Sequence, residues 1–72
     1  MTEIEKMMRE TVGKKVRVTD NEGEEYIGVN MVFEEDFDNF DEGEPSILIQ
    51  LNDEGGICLF ESEIKEIEVI NE

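Results

Sequence analysis

The chain has 72 residues, of which 21 are acidic and 6 basic, giving a formal net charge of −15, with one cysteine and no histidine. That length holds one small domain with a thin core; lone Cys58 excludes an intrachain disulfide, and the nitrogen and sulfur ligands that zinc usually takes are missing. The charge disfavours nonspecific binding to nucleic acid or anionic membrane, because both depend on Lys and Arg neutralising phosphate.

In chain order, residues 3–12 predict a short amphipathic helix. Thr2 suits the N-cap, and Glu3 and Glu5 suit the positive end of the helix dipole. Ile4, Met7, Met8 and Val12 recur at helical spacing, and Gly13 supplies the stop. The segment KKVRVTD alternates apolar and polar residues, with Val16 and Val18 on one side, as a half-buried strand does. DNEGEE is a turn in which Gly23 takes positive φ. EYIGVNMVF reads as a longer strand with apolar groups on both faces, and Gly28 in its middle predicts a sharp bend or a close backbone approach. After an acidic stretch, SILIQL is a third strand, NDEGG a turn, ICLFES a fourth strand and EIKEIEVI the last. The offset between Ile64 and Ile67 predicts a helical turn over residues 62–65 before that last strand.

The basic residues are uneven. Lys6, Arg9, Lys14, Lys15 and Arg17 crowd the first 17 positions, and only Lys65 follows. Within so acidic a chain their expected role is ion pairing, for example Glu5 with Arg9 at i, i+4. No apolar run approaches the ~20 residues needed to cross a membrane. The N-terminal MTEIEKMMRETVG is charged throughout and lacks a signal peptide's apolar core. With no disulfide pair, the expected location is a reducing cytoplasm.

A helix followed by five strands, the second bent at glycine, resembles the Sm-like family within the SH3-like small barrels. The residues that carry the resemblance are GKKVRVTDNEGEEYIGVNMVF, Gly13 to Phe33, where Gly13, Val16, Val18, Gly23, Tyr26 and Gly28 look like the first Sm motif. LFESEIKEIEVI, Leu59 to Ile70, is similar to the end of many bacterial small barrels. The resemblance covers most of the chain outside residues 34–45. It implies a mainly β fold: an N-terminal α-helix, then a five-stranded, strongly bent antiparallel barrel of Sm-like/SH3-like type, filling residues 1–72 as one domain. It also implies rings in which the fourth strand of one subunit pairs with the fifth of the next; here those are ICLFES and IKEIEVI.

The departures bear on function. Sm proteins carry an aspartate and then Met-Asn between the second and third strands, and an Arg-Gly or Lys-His type pair between the fourth and fifth. Here the first site is replaced by the acidic segment and the second reads Glu61-Ser62-Glu63. Carboxylates at both positions repel phosphate, so the resemblance favours the fold over the family's RNA binding.

The acidic segment EEDFDNFDEGEP, Glu34 to Pro45, has three readings. It is a solvated loop, since charge runs usually are. It is a protein-docking loop, in which Phe37 and Phe40 are aromatic anchors among Asp36, Asp38 and Asp41. Or it binds a metal ion. An EF-hand needs oxygen ligands at positions 1, 3 and 5 and glycine at 6; counted from Asp36, positions 5 and 6 are Phe40 and Asp41, so the template fails.

Cys58, flanked by Ile57 and Leu59, reads as a small core residue, and without histidine it has no Cys–His base. Glu61 and Glu63 are a carboxylate pair with no visible substrate pocket, and Gly55-Gly56 is a hairpin turn rather than a phosphate loop. The expectation is a non-enzymatic interaction module without cofactor or metal. It binds protein partners, with candidate binding residues Asp36, Phe37, Asp38, Phe40 and Asp41, or assembles with itself through sheet edges. Alternatives are an RNA-binding Sm-like ring and an acidic mimic of nucleic acid.

Overall fold

Helix α1 spans Glu3–Glu10 and starts as expected: the Thr2 hydroxyl accepts the Glu5 N–H at 2.9 Å. The structure, a computed structural model, describes residues 2–35, 44–51 and 55–70. The helix ends earlier than the apolar spacing suggests. Thr11 bonds back to the Met7 carbonyl through both its N–H, at 3.1 Å, and its hydroxyl, at 2.7 Å. That closes the last turn, so Val12 falls outside the helical stripe and is exposed. Gly13 then turns the chain at φ 88°, in the region that favours glycine.

Five strands follow: β1 (Lys15–Asp20), β2 (Glu25–Glu34), β3 (Ser46–Leu51), β4 (Gly55–Phe60) and β5 (Ile64–Val69). They form one antiparallel sheet in the order β4-β3-β2-β1-β5. The helix and the five-stranded sheet match the expectation, but the sheet is not closed into a barrel. Among the described residues β4 and β5 do not pair; they are its two edges.

Those edges nevertheless converge at one end. A 3-10 turn of Glu61–Glu63 is all that separates Phe60 from Ile64. A flat sheet would hold β4 and β5 four strand spacings apart, about 19 Å. A three-residue 3-10 turn bridges only about 8–10 Å. The sheet must therefore curve strongly, and its register shifts at Thr19/Asp20 and between Asn30 and Val32 are where such bending is absorbed.

Gly28 shows the close approach expected of it. It pairs with Val16 on one side, and a Cβ there would stand 2.9 Å from the Gln50 carbonyl carbon and nearer still to its oxygen. Only glycine lets β2 pass β3 this closely.

The concave face holds the core: Met8 of α1 with Val16, Val18, Ile47, Ile49, Leu59, Ile64 and Ile67. Burying each such side chain contributes roughly 1.5–3 kcal/mol. Asn30 also lies in this core, fully buried. Its Nδ2 donates to the Met8 carbonyl at 3.1 Å and to Thr11 Oγ1 at 3.0 Å, and its backbone exchanges bonds with Gly13 and Lys14. One residue of β2 thus ties down the C-terminal end of α1.

Candidate functional site

The five residues singled out from sequence, Asp36, Phe37, Asp38, Phe40 and Asp41, lie outside the described residues. The two ends of their segment are described, and both are held by specific partners. Glu35 accepts from Arg9 Nη2 at 2.7 Å, and the same nitrogen donates to Glu5 at 3.1 Å. The Arg9 guanidinium also sits 4.8 Å from the centre of the Phe33 ring, within cation–π range. Its two acceptors hold the Arg9 proton more firmly than usual, Glu35 most of all and Glu5 next. Glu44 accepts the Ser62 N–H at 2.9 Å and hydroxyl at 3.1 Å, while the Pro45 carbonyl accepts the Glu61 N–H at 2.9 Å.

The carboxylates of the 3-10 turn are bonded within the fold. Glu61 accepts from the Thr2 hydroxyl, and Glu63 Oε1 accepts the Phe60 N–H at 3.0 Å. Glu35, Glu44, Glu61 and Glu63 are thereby bonded to α1, to the 3-10 turn or to the end of β4.

The convex face carries a feature the sequence reading missed. Cys58 is exposed, not in the core. Ile57 and Leu59 turn inward, so strand alternation turns Cys58 outward. Directly opposite it on β3 is Leu48, and opposite Leu48 on β2 is Val32. Paired residues share a face of the sheet. The row Val32–Leu48–Cys58 is thus an exposed apolar band across three strands, with Phe60 two residues beyond Cys58 on the same face. Val32, Leu48 and Cys58 line a half-open groove with Glu34, Ser46 and Ile47. Farther across the same face, Arg17 on β1 pairs with Glu68 on β5 at 3.1 Å, and exposed Ile27 on β2 stands opposite Arg17.

The groove runs to an open strand edge. The Glu61 N–H bonds back toward β3 at Pro45, whereas the Phe60 N–H is turned away from β3, to Glu63. Antiparallel alternation then directs the backbone groups of Leu59 and Ile57 to β3, and those of Cys58 and Gly56 outward. The two edges differ in character. β4, GGICLF, contains no charged residue, whereas β5, IKEIEV, carries Lys65, Glu66 and Glu68. Charges blunt an edge against further pairing; β4 lacks that protection.

Beside the 3-10 turn, to which Asn21 bonds, Asp20 organises the β1–β2 turn. Its Oδ1 accepts the Glu22 and Glu24 N–H groups, each at 2.9 Å, and its Oδ2 accepts the Tyr26 hydroxyl at 3.0 Å. Burial pushes the Asp20 carboxyl up, but the N–H groups of Glu24 and Glu22 and the Tyr26 hydroxyl outweigh it, so Asp20 titrates below its ordinary value. The bond to Asp20, then burial and the nearby carboxylates, raise the Tyr26 phenol above its own. These shifts belong to a turn. Among the described residues, no group of three or more His, Cys, Asp or Glu converges as a metal site. No described helix is long and apolar enough to cross a membrane.

No family model, curated protein or solved structure matches the chain.

Proposed function

We propose that this chain is a non-enzymatic interaction module of Sm-like or SH3-like barrel type that binds protein partners in the cytoplasm. The observation that carries this reading is the exposed band Val32–Leu48–Cys58 beside the uncharged open strand β4. An apolar band in a chain of net charge −15 is a poor surface to leave in water and a good one to cover. The strong curvature demanded by the short Phe60-to-Ile64 connection supports the barrel reading. The acidic segment with Phe37 and Phe40 is a second contact in this proposal; the described residues on either side of it, Glu35 and Glu44, are each bonded to the fold.

The test is a photo-crosslinking phenylalanine analogue in place of Cys58, with the same analogue at exposed Glu22 as control. Illumination in cell extract is expected to give discrete protein adducts at position 58 that Leu48→Lys removes. RNA adducts would support the Sm-like RNA-binding ring instead. Adducts no different from those at position 22 would overturn the reading.

Self-assembly is the second reading, favoured by the two unpaired edges, β4 and β5. It predicts a ring mass by light scattering that becomes more stable with salt, as screening over ~8 Å relieves repulsion between acidic subunits. A monomer at low and moderate salt contradicts it.

A further inference from the structure

We propose that the β4 edge accepts an extended segment of a basic partner as a sixth strand, with its positive residues beside Phe60 and its apolar side chains continuing the Val32–Leu48–Cys58 band. This rests on the protein-binding reading above and specifies the occupant.

Three observations combine. Cys58 and Gly56 turn backbone donors and acceptors outward along an edge that carries no charge, which is what strand addition requires. Strand alternation would place every second side chain of an added strand on the convex face, next to Cys58 and Phe60. Carboxylates flank the strand in sequence: Asp53 and Glu54 precede Gly55, and Glu61 and Glu63 follow Phe60, while Glu34 lines the groove two residues from Val32. The Glu63 carboxylate lies at the edge itself, on the Phe60 N–H. An incoming Lys or Arg at that end meets Glu61 and Glu63, whereas the middle of the strand meets no carboxylate.

A second copy fits this edge less well. It brings another −15 against the same surface, and its own β5 edge offers Glu66 and Glu68 against a single Lys65. Nucleic acid lacks both the strand backbone and the positive charge. A basic, apolar, extended peptide matches the edge, the band and the carboxylates together.

The probe is a synthetic peptide of about eight residues, beginning Lys-Arg and continuing in alternating Val and Thr, titrated into the full chain. Binding is expected to weaken with salt and to perturb the amide resonances of Gly56, Cys58 and Phe60. N-methylating alternate backbone nitrogens of the peptide should weaken binding about tenfold by removing two strand hydrogen bonds. Replacing Lys-Arg by Glu-Glu should weaken it by at least as much. Equal affinity for the N-methylated peptide would mean adsorption by charge alone and would overturn strand addition. So would absence of binding at about 1 mM, or a dimer that Leu48→Lys converts to monomer. If the peptide fails while the crosslinker at position 58 still captures protein, the interaction module stands and this occupant is wrong.

Discussion

Leu48 and Cys58 face each other across β3 and β4 on the side of the sheet turned away from the core, and both are exposed. A cysteine so placed should behave as a free thiol. A disulfide-exchange reagent is expected to label the native chain fully at Cys58, at the same rate as the urea-unfolded chain to within about an order of magnitude. Labelling that waits on unfolding would place Cys58 inside. Leu48→Lys, on the same band, should change unfolding free energy by no more than about 0.5 kcal/mol, as surface substitutions usually do.

Gly28→Ala tests the opposite kind of position. The added methyl meets the Gln50 backbone, which cannot rotate aside as a side chain would. The cost is expected to be about 2–4 kcal/mol by denaturant unfolding, in the range of overpacking with a backbone shift. A change below about 0.5 kcal/mol would mean that β2 and β3 do not approach this closely.

Asn30→Ala removes two hydrogen bonds and leaves the Met8 carbonyl and the Thr11 hydroxyl short of a donor inside the fold. The expected loss is about 2–3 kcal/mol. Faster amide exchange should accompany it at Thr11 and Gly13, the residues Asn30 holds in place. A loss confined to the strands would show that α1 is held by its apolar contacts alone.

Tyr26 is the chain's single tyrosine, and there is no tryptophan, so ultraviolet absorbance reports its phenol cleanly. Its midpoint should lie above the ordinary value of 10.0 and fall back toward it in Asp20→Asn. The linkage signs are opposite for the two partners. Asp20, lowered, contributes stability above its unfolded pKa that is lost as pH falls through the folded one. Tyr26, raised, contributes stability below its unfolded pKa that is lost as pH rises through the folded one. Asp20→Asn should therefore flatten the stability profile at both the acid and the alkaline end. An unchanged Tyr26 midpoint would dissolve the pair.

Much of this architecture is legible in the residues. Thr2 caps the helix, Val16 and Val18 alternate into the core, Gly23 turns at φ 89°, and Gly28 marks the tight crossing. What misleads is apolar character on both faces of a strand. ICLF has no polar position to mark the outside, so Cys58 reads as core although it faces out. Strict alternation from Ile57 and Leu59 is the signal that could have placed Cys58 outside. Asn30 is hard to place from sequence for the converse reason. A lone polar residue in an apolar strand can be the buried one when a helix end needs a donor. The end of α1 is likewise decided by hydrogen bonds, the local ones of Thr11 to Met7 and the tertiary one of Asn30 to Met8, rather than by the apolar spacing that carries on to Val12.

The most direct measurement is residue-resolved amide hydrogen exchange along β4 in dilute protein. An open edge predicts two alternating classes: Ile57 and Leu59, bonded to β3, slow, and Gly56 and Cys58, turned outward, faster by orders of magnitude. Uniform protection of all four would contradict it, because the edge would then already be covered, by β5 in a closed barrel or by another copy of the chain, and no strand of a partner could be added there.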